Sequence, residues 1–140
     1  MRTWKKIMII SIAMLIAAVS YGWYLYNKKP ADTRTQTAAM ETSAVELVKH
    51  FQQDEAAAGR QFVDKLIIVS GNISNTQIDP DGHATVLLDT GDPFAAVICS
   101  FYNDEVEGVK KIPAGSRVKI KGICTGILTD VILNKCTLLK

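Results

Sequence analysis

Three cysteines and two histidines are the side chains best suited to covalent or metal chemistry in this 140-residue chain. Cys99, Cys124 and Cys136 form no CxxC pair, and no histidine stands at finger spacing, so a zinc site is not expected. A nucleophilic thiol needs a histidine base. His50 falls in a helical segment and His83 opens a strand, and nothing in the spacing sets either beside a sulfur. The cysteines therefore read as small buried hydrophobes. His50 and Asp54, four apart on a helix, offer half a metal site without a second pair, and read as a solvated face. Asp79 and Asp81 belong to an Asp-Pro-Asp-Gly turn; a calcium loop of the EF-hand kind needs more acids and a closing glutamate. No acid pair, triad or metal cluster assembles, so the expectation is a protein that is not an enzyme and takes no cofactor.

The bases offer a different chemistry. Arg117, Lys119 and Lys121 alternate along one strand, which puts three cations on one face, with Lys110 and Lys111 just upstream. Such a row can follow a phosphate backbone, provided aromatic rings are free to stack on bases. Phe51 and Phe101 fall on inward positions, leaving Phe62, Phe94 and Tyr102 as candidate platforms. The charge balance opposes this reading. Arg2, Lys5, Lys6, Lys28 and Lys29 all precede the first acid, Asp32, so residues 31–140 keep 11 bases against all 14 acids, a net of −3. That total repels a phosphate polymer. The row then reads as the solvated outer face of a strand, and nucleic acid is not expected as a partner.

Positioning these residues falls to a run of short elements. Residues 30–42 (PADTRTQTAAMET) are small, polar and aperiodic, and read as a linker. Ser43 and Glu46 form a capping box that opens an amphipathic helix over residues 44–58. Ala44, Leu47, Val48, Phe51 and Ala58 make its apolar stripe, and Gly59 its stop. Period-two alternation then predicts strands over residues 65–74, 83–89, 94–102, 116–125 and 131–139, with a short polar helix over residues 103–111. Gly71 and Gly122 fall inside strands, where glycine marks a bulge or the tight bend of a barrel corner. Parity changes between Leu133 and Cys136, which predicts a bulge at Asn134 or Lys135.

Five antiparallel strands with a helix between the third and fourth match the OB-fold, a partly open Greek-key barrel. The fold class is therefore mainly β: a five-stranded OB barrel over residues 43–140, opened by the amphipathic helix. In that barrel the fifth strand neighbours the third and fourth. In an oxidising compartment Cys136 can then bridge to Cys124, or alternatively to Cys99, leaving one thiol free.

Residues 1–29 read as a membrane anchor. Residues 7–26 carry no charge, and twenty helical residues rise about 30 Å, the thickness of a bilayer's hydrocarbon core. Trp4 at one end and Tyr21, Trp23, Tyr24 and Tyr26 at the other match aromatic belts, and Lys5, Lys6, Lys28 and Lys29 bracket the span. The rival is a cleaved signal peptide, for which Ala18-Val19-Ser20 offers small residues at the cleavage spacing. No cysteine stands near the segment, so a lipid anchor on cysteine is not expected. The excess of bases before Ile7 places the N-terminus in the cytoplasm and the C-terminal domain outside it.

Several stretches of the domain resemble a known family. They are Ala44-Val45-Glu46-Leu47, Asp54-Glu55-Ala56-Ala57-Ala58, Val69-Ser70-Gly71-Asn72-Ile73, Val97-Ile98-Cys99-Ser100-Phe101 and Val118-Lys119-Ile120-Lys121-Gly122-Ile123-Cys124-Thr125-Gly126. Together with Asp130-Val131-Ile132-Leu133 and Cys136 they are similar to the bacterial tRNA_anti-like family, across residues 43–139. The resemblance implies an OB-fold. It implies no activity, since that family is defined by likeness to tRNA-anticodon-binding OB domains rather than by chemistry. The expectation is a single-pass protein of the bacterial inner membrane that displays an OB-fold interaction module to a protein, peptide or small envelope ligand. The alternative is a tRNA or single-strand binder on the cytoplasmic side.

Overall fold

The computed structural model describes residues 1–27 and 32–139, in two units, residues 1–31 and 32–140. Lys28, Lys29, Pro30 and Lys140, to which the sequence assigned span flanks, a linker start and a domain end, lie outside the described residues. In the first unit α1 (Arg2–Tyr26) is one helix with no buried residue, long and apolar enough to cross a membrane. It starts five residues before the expected span, taking in Trp4, Lys5 and Lys6.

The second unit is a closed barrel with a helical cap. Its elements are β1 (Met40–Ser43), α2 (Ala44–Gln53), α3 (Glu55–Phe62), β2 (Leu66–Ile78), β3 (Ala84–Leu88), β4 (Val97–Phe101), a 3-10 turn (Asn103–Glu105), α4 (Val106–Lys110), β5 (Arg117–Ile127) and β6 (Val131–Leu139). Strands run in the order β1-β2-β3-β4-β6-β5, and β2 pairs again with β5 to close five of them into a barrel. The helix between the third and fourth barrel strands and the parallel β4–β6 pair give the OB topology.

A single long strand closes the barrel by changing partners. The first half of β2, Leu66 to Asn72, pairs with β5, and its second half, Ile73 to Ile78, pairs with β3. The turnover comes one residue past Gly71, where a Cβ would stand 3.1 Å from the Cβ of Ala44 and 3.5 Å from that of Leu88. The bulge that lets the strand bend follows between Ile73 and Asn75. In β6 the expected bulge is present: Cys99 faces Leu133 but Phe101 faces Cys136, and Lys135 takes up the extra residue at φ 52°.

Three expectations need correction. The single helix over residues 44–58 is two helices. Asp54 leaves helical geometry at φ −154°, and its Oδ1 accepts from Ala57 N at 2.9 Å, capping a new helix that runs through Gly59 to Phe62. Phe62 is thereby carried into the core, 2% exposed and 6.0 Å from the ring of Phe51, and is no platform for a base. The linker is also shorter than its composition suggested. Residues 40–43 are a strand, parallel to β2 from Met40↔Ile67 to Ser43↔Ser70, and the chain is docked from Asp32 onward.

The core is continuous from α2 through the barrel. Leu47, Phe51 and Phe62 from the helices meet Ile67, Val69, Leu88, Val97, Ile120 and Leu133 from the strands. Burying each large apolar side chain contributes about 1.5–3 kcal/mol. Ser43 caps α2 as expected, its Oγ accepting from Glu46 N at 3.1 Å.

Candidate ligand-binding face and the basic strand

The basic row on β5 is divided among three roles. Lys121 is 8% exposed, not solvated as expected: its Nζ donates to Arg34 O at 3.0 Å and Gln36 O at 2.9 Å. Lys119 pairs with Glu41 of β1 at 2.7 Å. Arg117 alone keeps an exposed guanidinium with no ion pair among the described residues. On the 3-10/α4 segment Lys110 pairs with Glu107 at 3.1 Å, and Lys111 is exposed.

The carbonyls that hold Lys121 belong to a strap, residues 32–39, laid against the barrel. Thr33 is its pin, 1% exposed, with Oγ1 donating to Lys135 O at 2.7 Å and lying 3.1 Å from the Tyr102 hydroxyl. The left-handed bulge at Lys135 is what turns that carbonyl outward from the ladder. Arg34 lies over the Tyr102 ring at 4.9 Å and is ion-paired with Asp32 and Asp104. The Arg34 hydrogen bonds hold the Asp32 carboxyl below the usual range. Tyr102 is thus covered on its face and engaged at its hydroxyl. Of the three expected platforms only Phe94 is open, 83% exposed.

The outward side of β3, β4 and β6 is a different surface. The ladder sets Leu87 opposite Ile98 and Ile98 opposite Ile132, a half-buried aliphatic row across three strands, with Thr85 and Ser100 beside it. Phe94 and Leu128 (88% exposed) stand on the loops flanking the row. Asp79 and Asp81 lie on the β2–β3 loop, Asp89 and Asp92 on the β3–β4 loop, and Asp130 on the β5–β6 loop. A cavity of about 360 Å³ opens among Leu87, Thr90, Asp92, Phe94, Ala96 and Asp130. Its walls are fixed by the chain itself: Thr90 Oγ1 donates to Ala95 O, and Asp130 Oδ1 accepts from Ala96 N at 2.7 Å. Hydrogen bonds from the His83 and Phe94 amides hold the Asp79 and Asp92 carboxyls below the usual range, so both stay charged. OB barrels take ligands on this face and its loops. Sequence reasoning passed over it, although a signal was present: residues 66–109 contain no Lys or Arg and seven acids.

The Asp79–His83 turn forms as expected, with His83 N donating to Asp79 Oδ1 at 2.8 Å. Ligand atoms of Asp79, Asp81 and His83 lie within 4.8 Å of one another, all exposed, so a cation could touch them; Asp79 already spends both oxygens on His83. His50 and Asp54 are exposed, as read from the sequence.

All three cysteines are free, buried thiols. Cys136 faces Phe101, two residues along β4 from Cys99, while Cys124 faces Leu133. Burial, then the Cys99 thiol, push the Cys136 thiol well up, and burial raises that of Cys124.

Over residues 1–138 the sequence matches the model of one protein family, tRNA_anti-like. The chain belongs to the tRNA_anti-like family. No curated protein matches the sequence. Among solved structures, this tRNA_anti-like chain is similar to a "putative nucleic acid-binding lipoprotein" from Klebsiella pneumoniae subsp. pneumoniae: 17% identity, 80% of this chain and 100% of that one, TM-score 0.59. It is also similar to a "putative aspartyl-tRNA synthetase" from Leishmania major Friedlin, at 15% identity and TM-score 0.51, over 78% of this chain but 22% of that one. The tRNA_anti-like chain thus spans about a fifth of the synthetase, and these likenesses carry the fold.

Proposed function

We propose that this chain is a non-enzymatic, single-pass membrane protein whose OB module binds a protein or peptide segment rich in apolar and cationic side chains. The observation that carries the ligand class is the aliphatic row Leu87–Ile98–Ile132, flanked by Phe94 and Leu128, with Asp89, Asp92 and Asp130 on the adjoining loops and no Lys or Arg over residues 66–109. Exposed aromatic and aliphatic anchors supply contact area, and the acidic rim selects the sign of the partner and steers its approach. The non-enzymatic reading rests on dispersal: the thiols are sealed in the core, while His50 and His83 are exposed on other elements. Membrane insertion is supported by α1, which as 25 helical residues reaches about 38 Å.

A second reading has its own support. The Klebsiella structure, similar over its whole length, is described as a "putative nucleic acid-binding lipoprotein". For this chain such binding would fall to Lys110, Lys111, Arg117 and Lys119, away from the loops that rim the aliphatic row.

The test uses the full chain in zwitterionic lipid nanodiscs and fluorescence anisotropy. The probes are an alternating leucine–lysine peptide, its leucine–glutamate counterpart, a single-stranded RNA and a tRNA. The leucine–lysine peptide is expected to bind, and to lose affinity when Phe94 and Leu128 are both changed to Ser. Submicromolar RNA or tRNA binding at about 150 mM salt, abolished by Arg117→Glu with Lys119→Glu, would replace this reading with the second.

A further inference from the structure

The barrel carries a second concavity, between α4, the start of β5 and the end of β6. It encloses about 680 Å³, inside the range of about 300–1,000 Å³ typical of small-molecule pockets. Ile112, Val118, Leu138 and Leu139 line it, and Arg117 and Lys119 stand at its rim. Three of those aliphatic residues, Ile112, Val118 and Leu138, also pack on the core, so the floor is the core's own lower surface.

We propose that this cavity binds a single-chain anionic amphiphile, with the acyl chain on the aliphatic floor and the acidic head on Arg117. The lining selects the tail. It contains no aromatic ring on which a base or nucleoside could stack, its apolar side chains are all branched aliphatics, and α4 presents Gly108, where a Cβ would meet nothing within 4 Å. The wall is therefore open and wide enough for a flexible chain. The rim selects the head. Arg117 has no ion-pair partner among the described residues, and a guanidinium grips carboxylate or phosphate through paired N–H donors. Glu105 is the one acid in the wall, and its Oε1 is turned to β6, accepting from Thr137 Oγ1 at 2.9 Å. Lys119 shares its charge with Glu41, and Lys111 adds positive potential just before Ile112. This site is separate in residues from the acid-rimmed face, so either assignment can fail alone.

The test is photolabelling of the full chain in phosphatidylcholine vesicles with a diazirine-bearing palmitate, read residue by residue by mass spectrometry. Labels are expected on residues 112–118 and 138–139, in addition to α1. Unlabelled palmitate should compete and hexadecanol should not. Arg117→Glu should lower labelling at the cavity roughly tenfold, about the worth of one charge-assisted contact. Gly108→Leu, placed in open space, should block it without a loss of thermal stability. A parallel arm with a diazirine lysophosphatidylglycerol identifies the source: labelling by it as strong as by palmitate makes the ligand a phospholipid, and labelling by palmitate alone makes it a free fatty acid. Labels confined to α1, equal competition by hexadecanol, or labelling indifferent to both variants would overturn the proposal.

Discussion

Gly122 and Cys136 share one site in the core. A Cβ on Gly122 would stand 2.5 Å from the Cys136 sulfur, 3.2 Å from Asn134 O and 3.4 Å from Leu133 Cβ. A sealed sulfur and a ladder carbonyl have little room to give. Gly122→Val should therefore destabilise the domain by about 1–3 kcal/mol through overpacking, seen as a fall in thermal midpoint. Gly59 is the contrasting case. It sits inside α3 with nothing within 4 Å of its would-be Cβ, so Gly59→Ala should raise stability by about 0.5–1 kcal/mol in the same melt. The thiols carry a pH dependence. Cys124 and Cys136 have folded-state values raised above those of the unfolded chain, so the folded state holds its protons longer. Their contribution is complete below about pH 8.5 and is lost as pH climbs through the raised values, so denaturant midpoints should fall in alkali. Alkylation by iodoacetamide should likewise wait on unfolding. The inward parity of Gly122 was legible in the alternation of β5. Its neighbour was not, because Cys136 reaches it from beyond a bulge that shifts the register of β6.

At the scale of elements, the strap depends on a buried ammonium. Lys121→Met keeps length and removes two charge-assisted hydrogen bonds, at a cost of about 1.5–3 kcal/mol. The strap should then open: trypsin cleavage after Arg34, slow in the native chain, should accelerate well before the barrel unfolds. Unchanged cleavage would mean that Thr33 and Arg34 pin the strap without Lys121. The barrel strands were legible because alternation and turn residues are local signals. The strap and β1 were not. Thr33, Arg34 and Gln36 of the strap close on partners 69 to 102 residues away, β1 pairs with β2 27 residues on, and a four-residue parallel edge strand shows no period of its own. The break between α2 and α3 was within reach, since Asp54 stands three residues before Ala57 at an N-cap spacing. The apolar stripe runs through the break and masked it.

For the whole molecule, charge is sorted by element. Asp89, Asp92 and Asp130 stand on the loops beside the aliphatic row, and Arg117 keeps a guanidinium on β5 with no ion pair among the described residues. A cationic peptide on the acidic face should bind with little change from pH 7 to about pH 5, then weaken below about pH 3.9 as Asp79 and Asp92, both held low, finally take protons. An alkaline phosphatase fused after Lys140 should be active if the domain lies outside the cytoplasm, and inactive if the second functional reading holds. The overall charge and the fold class were legible in the sequence. The placement of the charges was not, because a net of −3 is a sum over the sequence and does not say which acids and bases barrel closure brings together. The strap also ties the start of the domain to its finish. Thr33 closes on Lys135, and Arg34 and Gln36 close on Lys121, so the first docked residues wait for the last strands to be made. Translation runs from N- to C-terminus. A chain halted before β6 leaves Arg34 and its neighbours loose, a ready mark for proteases, and a finished chain hides that mark by completing itself.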